Sequence, residues 1–337
     1  MTPSRPSPPD APPPLPIGAS RSDEDRYLWQ AFRYHSRTFS LATRLLRGDV
    51  RLPIATLYLY CRTVDTIADE RVLEVGADVA RREVDETRSR LDRTLAGRPP
   101  EGVLWRRLAE VHDRYGLPHA PLHELLDGAE WDLEGRTVTD TEDLLTYSGL
   151  VAGSVGAMML PFLVEDRAEL AALEPAARAL GKAMQITNIA RDVGEDLEGL
   201  GRLYLPSEAL ERYGLTRADL LGVARNGHGP SEAYAALMES VMATAEALYD
   251  EAELGIRALP FRSRLGIEAA ARMYREIMNE VRAAGYDNLR RRSYVPLPRK
   301  LRLVVHDAYL PRKTRLAQSH VRPGPRRPVP ARPEPVR

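Results

Sequence analysis

The sequence predicts an all-α protein with a single large domain. Three observations predict it: apolar residues recur at three- and four-residue spacing through most of the chain, strict β-type alternation is absent, and breaks between segments fall at Gly/Pro clusters such as Gly97-Arg98-Pro99-Pro100 and Gly227-His228-Gly229-Pro230. Helical periodicity runs over about 23–46, 52–71, 78–96, 102–115, 121–133, 141–163, 168–197, 231–259 and 264–284. Neither a solenoid repeat nor a sustained heptad is present, so one helical bundle is expected.

The ends differ from this body. Proline is concentrated before Ile17 and after Val321, which predicts disordered arms at 1–20 and 312–337 around a helical domain at 21–311. Formal net charge is zero from 48 basic and 48 acidic residues, but Arg290 to Arg337 hold 14 Arg and Lys against Asp307 and Glu334. Acid therefore collects in the body and base in the tail. That tail could hold the protein at an anionic membrane, or be a solvated arm. It lacks interleaved aromatics beyond Tyr294 and Tyr309 and any reader motif, so no nucleic-acid partner is expected.

Cys61 is the only cysteine. An intrachain disulfide and a cysteine-based zinc site are excluded, and a reducing, cytoplasmic setting is the default. The first twenty residues contain no continuous apolar run, so no secretory signal is expected. The uncharged stretch 144–164 is long enough to span a bilayer, but it contains Gly149, Gly153, Gly156 and Pro161 and has no second span to pair with. A buried core helix whose small residues permit close packing is the expectation.

Two helices carry the chemistry. In 58–70, YLYCRTVDTIADE, the 100° helical step puts Tyr58, Arg62, Asp65 and Asp69 at about 0°, 40°, −20° and 20°. The same step puts Gln185, Asn188, Asp192 and Asp196 at about 0°, −60°, −20° and 20°. Each helix thus presents a D-x-x-x-D ladder on one stripe. Two acidic ladders facing a common cavity repel unless cations lie between them. Oxygen donors without His or Cys select Mg²⁺, with Mn²⁺ as the alternative, and such an ion shares its shell with water and phosphate. A diphosphate leaving group fits that requirement. No P-loop, dinucleotide fingerprint or EF-hand loop is present. The glycine-bearing 199–206 is either a flap over the site or a plain connection.

The segments HSRTFSLA (35–42), YLYCRTVDTIADE (58–70), YSGLVAGSVGAMMLP (147–161), QITNIARDVGEDLEGLGRLYLP (185–206) and RRSYVPLPRKL (291–301) resemble the squalene and phytoene synthases, over roughly residues 30 to 305. The resemblance implies a class I isoprenoid synthase bundle around a central cavity. It implies head-to-head joining of two prenyl diphosphates through a cyclopropyl intermediate, most similar to the phytoene branch, which uses geranylgeranyl diphosphate. The fifteen-carbon branch, giving dehydrosqualene or, with NADPH, squalene, is the alternative. Carried over by residue, Asp65, Asp69, Asn188, Asp192 and Asp196 bind metal. Arg62, Arg191 and Gln185 hold diphosphate or the metal shell. Ser36 and Phe39 sit at the substrate, Tyr58 beside the cation, Tyr274 and Arg291 near the diphosphate, and Arg202 and Tyr204 in the flap. Two departures stand out: Thr66 replaces the second of two adjacent acids, and Tyr147-Ser148-Gly149 replaces a Tyr-Cys-Tyr run, a loss that could widen the pocket. A terpene cyclase is disfavoured by the second ladder, and a catalytically dead scaffold is disfavoured because all four ladder acids remain. Partners implied are prenyl diphosphates and, through the tail, the inner face of a membrane; oligomeric state is not indicated.

Overall fold

The computed structural model describes residues 18–226, 229–296, 298–300 and 302–303. The expected N-terminal arm up to residue 17 and the basic arm at 312–337 lie outside the described residues. Among the described residues there is no strand, and the helices enclose one central core.

The predicted first helix is two. Ser36 leaves the helical region at φ −140°, ψ 94°, so α1 (Arg21–His35) ends there and α2 (Arg37–Thr43) begins, with Ser36 Oγ accepting from Phe39 N. Next, α3 (Arg51–Thr66) runs into a π-helical turn at Ile67–Arg71 and then α4 (Val72–Val75). The amphipathic α5 (Ala77–Leu95), α6 (Val103–Tyr115) and α7 (His119–Leu133) follow, separated by loops with Gly97, Gly102 and Gly116 at positive φ.

The uncharged stretch forms α8 (Thr141–Ser148), a second π turn at Gly149–Gly153, and α9 (Ser154–Leu163). By length and composition this run could cross a membrane. Here it packs between α7 and α10, with Met158, Met159, Leu160 and Phe162 buried. The longest helix, α10 (Leu170–Gly199), lies at the centre against α9, α13 (Glu232–Ala258) and α14 (Phe261–Ala283). Small residues set that closeness. A Cβ on Gly181 would stand 2.1 Å from Ala152 O, and one on Gly156 would stand 2.1 Å from Ala177 O.

Two short helices, α11 (Ser207–Arg212) and α12 (Arg217–Asn226), occupy a stretch in which the sequence predicts no element. Six and ten residues give too few turns for periodicity to show.

Candidate active site

The two acidic ladders face one cavity. Its apolar compartment, of about 450 Å³, runs between α3, α9, α10, α13 and α14, with Leu57, Val155, Met159, Leu180 and Ile267 in the wall. A polar compartment of about 250 Å³ adjoins it. Asp65, Leu125, Val151, Gln185, Asn188 and Arg191 line both, so the two are one space with a charged end and a greasy end.

From α3 come Tyr58 and Asp65, and from the π turn comes Asp69. Gln185, Asn188, Asp192 and Asp196 enter from α10. Asp65 is accessible, but the surface that it shows is cavity wall. Loss of hydration there, with Asp69 and Asp132 nearby, pushes its carboxyl up to about 7 against the opposing pull of Arg62. Asp196 is also pushed up to about 7, by burial and then by Asp192 and Asp69. Burial raises Asp69 as well, opposed by Arg202. Burial is thus the main cause of both raised carboxyls, with neighbouring acids second, and across the ladders it is Asp69 that raises Asp196.

Arginines answer part of that charge. Arg191 Nε donates to Asp192 Oδ1 at 2.7 Å, and Arg292 Nε stands 3.0 Å from the same oxygen while its Nη1 reaches Glu195. The Asp192 face of α10 is fixed from behind by Asn288, which is buried. Its Nδ2 donates to Ala190 O at 2.5 Å, its carbonyl accepts from Gly194 N at 3.1 Å, and its Oδ1 accepts from Tyr234 at 2.9 Å. Gly194 is required here, because a Cβ would lie 2.2 Å from Leu289 O.

The 200–206 loop lies over the polar end. Arg202 Nη1 donates to Asp69 Oδ1 and its Nη2 to Ala68 O, both at 2.8 Å, so it reads a carboxylate and a backbone carbonyl of the π turn together. Tyr204 stacks on Tyr147 with centroids 4.7 Å apart, and both hydroxyls donate to Asp132, at 2.8 and 3.0 Å. Both contacts put the loop over the polar compartment, where Leu200 and Tyr204 form part of the wall.

Ser36, Phe39, Tyr58 and Tyr274 line the apolar compartment. Phe32 packs against Tyr58 and Phe39 at 4.8 and 5.6 Å, giving an aromatic cluster at that wall. Two expected residues stand elsewhere. Arg62 pairs with Glu70 and lines an outer groove with His35 and Arg71 rather than the cavity, because the π turn brings Glu70 back beneath it. Arg291 is 82% exposed and leans toward Asp287; its neighbour Arg292 takes the place at the cavity. Position 149, where the aromatic is missing, is outside the cavity wall, and a Cβ there would lie 3.1 Å from Lys182 Cε.

Sequence reasoning missed Asp132, Tyr147 and Arg292 as site residues. Asp132, on α7, is pushed up to about 6 by burial and is coupled to Asp69 and Arg202. Its one sequence signal is an acid set directly between Trp131 and Leu133 on the helix side that also carries Leu125 and Ala129.

Among the described residues no three His, Cys, Asp or Glu side chains converge on one point as a ready metal cage. The donors nevertheless fit a hard divalent cation. They are all oxygens, Asp65 and Asp196 carry raised carboxyls, and Asn188 Oδ1 is buried without a hydrogen-bond partner. An ion here would draw one or two ligands from each face and the remainder from water or phosphate.

Comparison with known proteins decides the family. The squalene/phytoene synthase family model matches residues 32–299. The chain belongs to the squalene/phytoene synthase family. It is thus a prenyltransferase of a family acting on prenyl diphosphates. A phytoene synthase of Cereibacter sphaeroides is 38% identical over 277 residues, covering 81% of this chain and 76% of that protein. The 15-cis-phytoene synthase of Synechococcus elongatus is 33% identical, covering 84% of this chain and 92% of its own. A ligand-bound dehydrosqualene synthase superposes with a TM-score of 0.76 at 30% identity, covering 86% of this chain and 96% of that one. The prenyltransferase fold is therefore the frame in which both ladders and the 200–206 loop are placed.

Proposed function

We propose that this prenyltransferase joins two geranylgeranyl diphosphates head to head, with Mg²⁺, to give phytoene. The observation that carries the proposal is the cavity's polarity. Two acid-bearing helix faces stand at one end of an otherwise apolar space, which suits a substrate with a diphosphate head and a long hydrocarbon tail. The twenty-carbon substrate is supported by the relatives of 38% and 33% identity, both named phytoene synthases. The dehydrosqualene synthase likeness keeps the fifteen-carbon substrate as the second reading.

Asp65, Asp69, Asn188, Asp192 and Asp196 would hold the metal, which when bound neutralises charge on the departing diphosphate. Arg191 and Arg292, now beside Asp192, would turn to phosphate oxygens, where guanidinium pairing is strong. Gln185 and Asn188 would orient the head group at the junction of the compartments. The face of Tyr58, backed by Phe32 and Phe39, offers π density to an allylic cation in the apolar compartment. Arg202 and Tyr204 hold the flap closed and exclude water that would quench such a cation.

Incubation of the purified protein with Mg²⁺ and either geranylgeranyl or farnesyl diphosphate, with and without NADPH, tests the proposal. Phytoene from the twenty-carbon substrate, unchanged by NADPH, is expected. Dehydrosqualene or squalene from the fifteen-carbon substrate alone would establish the second reading, and no head-to-head hydrocarbon under any condition would remove both.

A further inference from the structure

Asp132 belongs to neither ladder, yet it joins both to the 200–206 loop. It rises from α7 with its side chain only 9% exposed, and it lines the polar compartment. Its Oδ1 accepts from the Tyr204 hydroxyl at 2.8 Å and its Oδ2 from the Tyr147 hydroxyl at 3.0 Å. The first donor is on the loop and the second on α8, so one carboxylate fastens the loop to the compartment wall. Arg202 is the loop's other polar anchor there. Its Nη1 lies 2.8 Å from Asp69 Oδ1 and 3.7 Å from Asp132 Oδ2, so one guanidinium faces both acids and bonds the ladder acid. Backbone bonds tie the loop toward its ends: Leu200 N and Arg202 N donate to Asp196 O, and Ser207 N donates to Val138 O.

The two acids answer a cation differently. Under the function proposed above, on which this inference rests, Asp69 is a metal ligand, and an occupied carboxylate no longer offers its charge to Arg202. A guanidinium only 14% exposed is costly without an acceptor, so it must find another or the loop must lift. Asp132 Oδ2 is the acceptor at hand. Its 3.7 Å separation exceeds the 2.8 Å of the Asp69 bond by 0.9 Å, a gap that an arginine side chain closes by itself. We propose that Asp132 is the positioning residue that keeps the 200–206 loop over the polar compartment when Asp69 is occupied by a divalent cation. It takes over the Arg202 guanidinium while still holding both tyrosine hydroxyls. Ala68 O, which accepts from Arg202 Nη2 at 2.8 Å, is the pivot of the exchange. A metal-ligand role fits Asp132 less well, since each of its oxygens already accepts from a hydroxyl. Closure at this point guards the reaction. If water enters, its oxygen bonds the allylic carbon that the diphosphate oxygen has left with its electron pair, and it gives up a proton, leaving a prenyl alcohol in place of hydrocarbon.

Backbone hydrogen exchange at 200–206, followed in the full chain with EDTA and again with Mg²⁺ and inorganic diphosphate, tests this without turnover. Calorimetry on the same samples shows whether Mg²⁺ and diphosphate have bound. Wild type is expected to keep its loop protected in both states. Asp132→Asn stays close to wild type in EDTA, where Arg202 still has Asp69. Once loaded, its loop exchanges roughly tenfold faster or more, while the α10 amides exchange as in wild type and so report an intact fold. Tyr204→Phe removes one hydroxyl and leaves Arg202 and Asp132 in place, so it gives the same shift more weakly and serves if Asp132→Asn does not fold. In turnover, the prenyl alcohol share of the products rises from a trace to roughly a third or more in Asp132→Asn, and Asp132→Glu, which keeps the charge, lowers it again. Equal loop exchange in loaded wild type and loaded Asp132→Asn would overturn the proposal. So would alcohol and hydrocarbon falling in proportion, the mark of a merely structural role, or loss of Mg²⁺-dependent diphosphate binding in Asp132→Asn, the mark of a metal ligand. Each of these leaves the assigned reaction standing. A wild-type chain that binds neither Mg²⁺ nor diphosphate would remove the metal reading and this proposal with it.

Discussion

Asp65→Asn and Asp196→Asn each give a folded protein whose turnover falls by about 10³ or more, the scale set by losing several kcal/mol of charge stabilisation at the departing diphosphate. Their stability changes in the opposite sense. Both carboxyls are raised to about 7 in the folded protein from an ordinary value near 3.8. A raised carboxyl binds its proton more tightly in the folded state, so the stability that this contributes is present at acidic pH and is lost as the pH rises through about 7. Above that, each ionised group is held folded against its lost hydration and then its neighbours' repulsion. Replacing either with a neutral amide removes that cost. In metal-free buffer at pH 8 both variants therefore melt several degrees above wild type, and the gap narrows as the pH falls toward 4. Melting and hydrocarbon release, measured on the same preparations, separate the two effects. Variants that lose activity and also melt lower at pH 8 would show that these acids hold the fold together rather than strain it.

Gly181→Ala is expected to be the most damaging single-methyl change outside the chemistry. Its Cβ would lie 2.1 Å from Ala152 O and 2.6 Å from Ala152 C, both backbone atoms of the second π turn, which cannot swing aside as a side chain does. Moving α10 away costs about 3 kcal/mol, or roughly 6 °C in melting temperature. It also shifts Gln185 and Asn188, one and two turns further along α10, so activity falls with stability. Gly199→Ala is the control. Nothing lies within 4 Å of its Cβ and its φ is negative, so thermal melting should stay level or rise slightly. Equal melting for the two variants would mean that the α9–α10 contact is looser than the structure shows.

The ladders were legible because a four-residue spacing survives any ordinary helix: Asp192 and Asp196 share a face wherever α10 lies. The π turn was not legible, since one extra residue in a turn leaves no mark on apolar periodicity. Its effect is specific. It keeps Asp69 toward the cavity and brings Glu70 to Arg62, so the guanidinium is held in an ion pair away from the cavity although its place on α3 is unchanged. Arg292 was hidden in the run Arg290-Arg291-Arg292, where the sequence offers three equal cations. Asp287 settles the matter by taking Arg290 and attracting Arg291, which leaves Arg292 for Asp192 and Glu195. Asp132 has no acidic partner on its own helix; its partners Tyr147, Tyr204 and Arg202 come from α8 and the flap. The helical class and most helix positions followed from local periodicity, whereas the break at Ser36 depends on one backbone conformation and the helices at 207–226 on tertiary support.

That the two acid-bearing faces act together on a prenyl diphosphate through divalent cations is tested most directly by single-turnover release of inorganic diphosphate from geranylgeranyl diphosphate by the wild-type chain as Mg²⁺ is titrated. Release should be absent in EDTA, rise to saturation with Mg²⁺, be restored by Mn²⁺, and accompany hydrocarbon formation. Release at the same rate in EDTA as in Mg²⁺ would contradict the assignment of both ladders.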